Sequence, residues 1–171
     1  MIVADASVLI ALAKMKRIEL LHRMYGKVLM GPLVKAEVLD KGRLISAPGV
    51  EQLERAVESG WIEAVRLSPR ERRVQQGILS KTRLHGGEAE ALALADSRKL
   101  HLIVDDKEAR ALADAMGLSY LGTAAVLLRA FLERHFGFEE LEDAVTALSR
   151  TIWISPAVVA EILKRAREEE K

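Results

Sequence analysis

The chain has 171 residues, of which 50% are hydrophobic and 30% charged, with a formal net charge of +1 and no Cys. A chain of this size and apolar content is typical of one folded domain and excludes a disordered protein. The absence of Cys excludes disulfide bonds, thiolate catalysis and Cys-ligated zinc, and the near-neutral charge leaves any nucleic-acid contact to local patches.

The N-terminus and the residue usage indicate where such a protein works. No stretch reaches the roughly 20 apolar residues of a membrane span, and the first residues lack the basic region of a signal peptide. We therefore expect a cytoplasmic protein with no membrane partner. Asn is absent as well as Cys, while Glu, Lys and Arg are frequent, and this usage suggests a thermophilic source.

Short apolar runs alternate with longer helical patterns along the chain. Buried strands are predicted at 2–4, 28–30, 61–67, 100–104 and 118–121. Helices are predicted at 8–14, 18–25, 32–39, 50–59, 69–80, 88–98, 109–116, 123–132, 138–148 and from 156 onward. Strands that alternate with helices are typical of an α/β domain with a parallel sheet.

Acidic residues recur where strands end or where helices begin. Asp5 follows the first strand, and Asp105 and Asp106 follow the fourth. Glu37 and Glu88 lie on helices that enter from the same side, so these positions converge on the carboxyl edge of the sheet, where open α/β sheets bind ligands. Helix capping explains Asp5 equally well when it is taken alone. The repeated placement is what favours a site.

Converging carboxylates are costly when no Lys, Arg or His lies between them. They repel one another, and such an arrangement usually holds a cation. Oxygen ligands without Cys or paired His favour Mg²⁺ or Mn²⁺ over zinc. The carboxyl edge is therefore expected to hold Mg²⁺ or Mn²⁺, ions that commonly bridge phosphate oxygens.

The segment 66–85 is the one basic stretch of the chain, with six Lys or Arg against a single Glu. A helix with a solvated basic face accounts for it as well as a ridge that contacts phosphates does. On the second interpretation, the residues that bind a nucleic acid are Arg70, Arg72, Arg73, Lys81 and Arg83.

Four short motifs carry a resemblance to a known family. They are Asp-Ala-Ser at 5–7, Val-Lys-Ala-Glu-Val at 34–38, Gly-Glu-Ala-Glu-Ala at 87–91 and Leu-Ile-Val-Asp-Asp at 102–106. In this order and spacing the chain resembles the PIN-domain family of metal-dependent nucleases, which includes toxins of bacterial and archaeal toxin-antitoxin pairs. It looks most like a subgroup of small, largely uncharacterised PIN proteins.

The resemblance implies a role for individual residues. The acidic catalytic quartet of the family is matched by Asp5, Glu37, Glu88 and Asp106. The implied metal ligands are Asp5, Glu88, Asp105 and Asp106. Ser7 matches the supporting hydroxyl of the family. One position departs from the pattern, because many relatives have Thr where this chain has Val104, so one hydroxyl is missing there and Asp105 is expected to compensate.

Glu88 is preferred to Glu90 as the ligand on its helix. Its distance to Asp106 fits the family spacing, and the first helical turn favours a carboxylate. Two residues turn a helix by about 200°, so Glu88 and Glu90 do not face the same ion.

The resemblance also implies the fold and the activity. It predicts one PIN-like domain over 1–171, with three α/β/α layers around a parallel sheet of about five strands in the order 3-2-1-4-5. The implied activity is hydrolysis of single-stranded RNA by a water whose pKa a metal ion lowers. The expected partners are RNA, a small antitoxin protein and, from the apolar faces of the last three predicted helices, a second copy of the chain.

Two other functions stay open at this point. An RNA-binding or scaffold protein would keep the fold without turnover, although the presence of all four acids favours the enzyme. A phosphoacceptor or phosphatase domain is less favoured, because the segment after the first strand lacks the second Asp of a nucleophilic Asp-x-Asp motif.

Overall fold

A five-stranded parallel sheet lies at the centre of the computed structural model, which describes residues 1–152 and 154–169. The strands are β1 (Ile2–Ala4), β2 (Val28–Met30), β3 (Ile62–Ala64), β4 (His101–Ile103) and β5 (Tyr120–Leu121). Their order is β3-β2-β1-β4-β5, and every neighbouring pair is parallel. This confirms the predicted α/β fold and sheet order, although the third strand is shorter than the predicted 61–67.

Helices cover both faces of this sheet. In the described ranges the α-helices are α1 (Ala6–Lys14), α2 (Glu19–Tyr25), α3 (Pro32–Lys35), α4 (Gly42–Leu44), α5 (Val50–Glu58), α6 (Pro69–Leu79), α7 (Gly86–Arg98), α8 (Lys107–Ala115), α9 (Thr123–Leu132), α10 (Phe138–Thr151) and α11 (Pro156–Glu169). A π-helical segment, Ala36–Lys41, joins α3 to α4. The single helix predicted at 32–39 is therefore a short α-helical turn followed by a wider one.

The central position of β1 determines where Asp5 lies. β1 pairs with β2 on one side and with β4 on the other, and Ala4 is in register with Ile103. The Asp5 amide then donates to the Ile103 carbonyl at 3.2 Å. The residue that follows β1 is therefore held beside the residues that follow β4.

The core is divided between the two faces because strand side chains alternate. Ile2 and Ala4 pack in one cluster with α1, α5 and the last three helices, whereas Val3 packs in the other cluster with α6, α7 and α8. Residues 89–95 of α7 are all buried, since α7 contacts α3, α6, α8 and the sheet. Its small side chains allow this close approach, which fixes the start of α7 near the end of β1.

The last three helices use most of their apolar surface within the chain. α9, α10 and α11 pack on one another, and both α9 and α10 contact α1. Leu127, Leu148 and Ile162 are buried there, while Leu132 and Val158 stay exposed. The apolar faces that suggested a homodimer are thus largely accounted for by the monomer, and the dimer stays a prediction. None of the helices that the structure describes has the length and apolar character to cross a membrane.

Candidate active site

A cavity of about 470 Å³ opens where β1 ends. Three segments meet around it: the turn from β1 into α1, the α3 and π-helical segment, and the first turn of α7. Three of the predicted acids line this cavity together with Ser7: Asp5, Glu37 and Glu88. The fold thus brings together residues that lie more than 80 positions apart in the sequence.

Asp5 is the most buried acid of the cavity, with 1% of its surface exposed. Its Oδ1 accepts the Val8 amide at 3.0 Å and so caps α1, and the Ser7 hydroxyl donates to Oδ2 at 3.4 Å. Capping and site chemistry are therefore compatible for Asp5, since one oxygen serves the helix and the other meets the hydroxyl predicted to support it.

The electrostatic surroundings of Asp5 are unfavourable to its charge. Burial, followed by the negative charges of Asp105 and Glu88, raises the pKa of Asp5 to about 7 from an ordinary value of 3.8. The Val8 amide and the Ser7 hydroxyl lower it, but by less than burial raises it. Among the described residues, no Lys, Arg or His forms an ion pair with Asp5. A cation at this edge would relieve the repulsion.

Glu88 and Glu90 have different surroundings, although both lie in the first turns of α7. Glu88 is half-buried, lines the cavity and accepts the His85 amide at 2.8 Å. Glu90 is 2% exposed and does not line the cavity. Its carboxylate instead accepts the amides of Leu33 and Val34 at the start of α3. The two acids therefore face different neighbours, as two residues along a helix require.

Glu37 lies on the π-helical segment, a wider turn that often occurs at functional sites. It is exposed and lines the cavity together with Lys41, which follows it by about one turn. His85, just before α7, also lines the cavity. Lys41 and His85 therefore lie among the acids, and sequence reasoning missed both. Spacing was the missed signal, because Lys41 stands four residues after Glu37 and His85 three before Glu88.

The acids after β4 are both engaged by backbone amides. Asp105 accepts the Thr123 amide at 2.8 Å and the Thr123 hydroxyl at 2.5 Å, whereas Asp106 accepts the Ala109 amide at 2.8 Å and caps α8. Neither lines the cavity. Of these two acids, Asp105 is the one whose negative charge helps to raise the pKa of Asp5. Sequence reasoning missed Thr123, which brings a hydroxyl to this edge where Val104 supplies none.

The residues at this edge fit a hard divalent cation by their chemistry. The donors are carboxylate oxygens, Cys is absent, and buried Asp5 has no cationic partner in the described ranges. As arranged here, however, the described residues include no group of three or more His, Asp or Glu close enough to hold an ion. A metal would have to draw these side chains inward from their present positions.

The basic stretch lies along α6 and the segment that follows it. Its six Lys and Arg are exposed, and none pairs with an acid that the structure describes. Glu71 of this stretch is 3% exposed and pairs with Arg98 of α7 at 2.8 Å, while the side-chain amide of Gln75 donates to the Gly86 carbonyl. The two helices are thus antiparallel. Arg70 and Arg72 lie toward the end of α7, whereas the last residues of the stretch lead into the cavity.

The raised pKa of Asp5 predicts how the metal-free protein responds to pH. The folded state keeps the Asp5 proton up to about pH 7, whereas the unfolded state loses it near pH 3.8. The contribution of Asp5 to stability is therefore present below pH 3.8 and lost as the pH rises to 7. In EDTA, parent stability should fall by roughly 2–3 kcal/mol relative to Asp5→Asn between pH 5 and pH 8. Urea unfolding of both proteins measures this, and parallel pH profiles would contradict it.

Comparison with known proteins agrees with this architecture. A family profile described as PIN domain matches residues 1–168. No curated protein and no solved structure gives a significant match to the chain. The profile spans the strand-end acids, the Ala-rich α7 and all five strands of the 3-2-1-4-5 sheet. The chain therefore belongs to the PIN-domain family.

Proposed function

We propose that this chain is a Mg²⁺- or Mn²⁺-dependent endoribonuclease that cleaves single-stranded RNA. PIN domains are generally nucleases, and they typically use divalent metals. The observation that carries the proposal is the convergence of Asp5, Glu37 and Glu88 on one cavity at the carboxyl edge of the sheet. Asp5 is kept there buried and without a cationic partner in the described ranges, at a cost that a bound metal would offset.

The roles of the residues follow from their contacts. Asp5 and Glu88, with Glu37 across the cavity, would hold the ion, and one of the two acids after β4 would complete the set. When bound, the ion would supply a water of lowered pKa and would stabilise the charge on the leaving oxygen. Ser7 orients Asp5 through its hydroxyl, and the His85 amide holds one oxygen of Glu88.

The positive groups at the cavity favour a phosphate ester as substrate. Lys41 lines the cavity beside the acids, and in its cationic form it attracts a phosphate without competing for the metal. The exposed basic stretch leads into the same cavity through Lys81 and Arg83. Clustered positive charge of this kind binds a polyanion with little regard to sequence. The choice of single-stranded RNA rests on the family resemblance.

A small antitoxin protein is proposed as the partner of this site. An apolar cavity of about 240 Å³ adjoins the acidic one and shares Glu37 and Lys41 with it. Ile45, which is 76% exposed, lines this cavity, and Leu44, its neighbour in the sequence, is 85% exposed. Exposed apolar side chains beside a groove often mark a protein-binding surface. A protein that covered them would also restrict access to the acidic cavity.

Metal binding is the first test of the proposal. Millimolar Mn²⁺ should raise the melting temperature above its value in EDTA, because an ion at about 100 times its dissociation constant adds roughly 2.7 kcal/mol. Asp5→Asn and Glu88→Gln should remove most of the shift. Glu58→Gln, a change at an exposed acid of α5, should keep it. Identical melting of the parent with and without Mn²⁺ would argue against a metal site.

Cleavage is the second test. The purified protein should cut single-stranded RNA with Mn²⁺ and not with EDTA, and Glu88→Gln should abolish cutting while melting at or above the parent temperature in EDTA. Such a variant loses a ligand and also a repelling charge. RNA binding without cleavage by the parent would instead identify a scaffold protein.

The acids after β4 call for a paired comparison. The family spacing assigns the ligand to Asp106, but of the two acids it is Asp105 whose negative charge acts on Asp5. An ion shared with Asp5 would be held by the carboxylate that acts on Asp5, so we expect Asp105→Asn to reduce cleavage more than Asp106→Asn. The opposite result would identify Asp106 as the metal ligand. In that case Asp105→Asn would bind Mn²⁺ as the parent does, and Asp106→Asn would lose binding.

The basic stretch predicts a salt-dependent contact. Replacing Arg70, Arg72 and Arg73 by Ala should weaken RNA binding for all sequences alike and flatten its dependence on salt, while melting changes little. Arg55→Ala is the control, because Arg55 lies on α5, which packs on the opposite face of the sheet. Filter binding between 50 and 300 mM salt measures both slopes. If RNA binding by the triple variant and by the parent depends equally on salt, these arginines form only a solvated helix face.

A further inference from the structure

Glu90 is a buried carboxylate for which the proposed reaction has no direct use. It is 2% exposed, and no Lys, Arg or His of the described residues pairs with it. Burial raises its pKa, which the backbone amides of Leu33 and Val34 oppose. A carboxylate in such a place is costly unless it is hydrogen-bonded. Its partners therefore indicate why an acid is kept there.

Those partners all belong to the start of α3. The Leu33 amide lies 3.0 and 3.2 Å from the two carboxylate oxygens of Glu90, and the Val34 amide lies 3.3 Å from Oε1. α3 has only four residues before the π-helical segment begins. So short a helix has few hydrogen bonds of its own, and its free amides need an acceptor from elsewhere. Glu90 is that acceptor.

The backbone before α3 is shaped around the same carboxylate. A Cβ built on Gly31 would lie 1.9 Å from Oε1 of Glu90. Gly31 has a φ of −84°, which any residue can adopt, so the lack of a side chain is needed for space and not for conformation. Gly31 and Glu90 thus form a close-packed joint between α3 and α7, independently of the hydrogen bonds.

This joint lies beside both walls of the acidic cavity. Glu88 is two residues before Glu90 on α7, and Glu37 is three residues after Val34 on the continuation of α3. We infer that Glu90 is a positioning residue, which holds Glu37 and Glu88 at the separation that a shared metal ion requires. The inference rests on the proposed function, because it concerns the metal ligands of that site.

Metal affinity is the sensitive measure of such a role. Mg²⁺ tolerates little departure from its ligand geometry, and loss of a group that orients ligands typically lowers affinity or activity 10- to 100-fold. Glu90→Gln keeps the volume but sets an NH₂ group against backbone amides. We expect it to bind Mn²⁺ about tenfold more weakly by calorimetry and to lower kcat for RNA more than it changes KM.

Glu71→Gln is the matched control. Glu71 is 3% exposed, accepts the Ser68 amide and pairs with Arg98, so it is an equally buried carboxylate that caps another helix. Both variants should melt below the parent. At a temperature where all three are folded, only Glu90→Gln should lose Mn²⁺ affinity and turnover. Equal affinity and kcat for Glu90→Gln and Glu71→Gln would reduce Glu90 to a structural cap.

A second variant tests the joint without removing the carboxylate. Gly31→Ala should displace Glu90, speed hydrogen exchange at the Leu33 and Val34 amides and weaken Mn²⁺ binding. The double variant Gly31→Ala/Glu90→Gln should lose less Mn²⁺ binding free energy than the sum of the losses in the two single variants, because both changes break the same joint. Full additivity, or unchanged Mn²⁺ binding by Gly31→Ala, would overturn the inference.

Measurements of Mn²⁺ binding and RNA cleavage by the parent protein distinguish failure of this inference from failure of the proposed function. A parent that neither binds Mn²⁺ nor cleaves RNA would overturn the proposed function, and the positioning role with it. A parent that does both, while Glu90→Gln binds and cleaves as the parent does, would overturn the positioning role alone.

Discussion

The structure depends on a desolvated carboxylate at the end of its central strand. β1 has neighbours on both sides, so the residue that follows it is enclosed by the chain, and Asp5 is buried there with its pKa raised to about 7. The Val8 amide and the Ser7 hydroxyl offset part of the cost. An apolar residue at this position would avoid the cost of burying a carboxylate. Strain of this kind at one edge of an otherwise well-packed domain is characteristic of a functional site.

Helix N-termini are what allow several acids to share this edge. Four carboxylates accept amides from the first turns of four different helices: Asp5 from α1, Glu90 from α3, Asp106 from α8 and Asp105 from α9. Each such bond satisfies a free amide, and the positive end of the helix favours the negative charge. Capping is therefore compatible with the proposed metal binding, because the amides hold the acids in place.

In each doubled acid motif, the two acids make different contacts. Glu88 lines the cavity, while Glu90 ties α7 to α3. After β4, the charge of Asp105 acts on Asp5, and Asp105 also accepts hydrogen bonds from Thr123. Asp106 instead caps the N-terminus of α8. A change at one acid of a pair will therefore alter the geometry presented by the other. Activity measurements on such variants need a stability measurement beside them.

Local pattern was enough to predict the five strands and most of the helices, although β3 is shorter than predicted and residues 36–41 are π-helical. Apolar runs bounded by turn residues mark β1 to β5, and the carboxyl ends of parallel strands necessarily share an edge. The sheet order followed from the family motifs. Helix geometry already separated Glu88 from Glu90, whereas tertiary packing decided that Glu90 turns to α3 and that Lys41 and His85 join the acids. Glu90 and Leu33 are 57 residues apart, and Asp105 and Thr123 are 18 apart. Side-chain direction at such contacts depends on how helices pack against each other, which local periodicity does not encode.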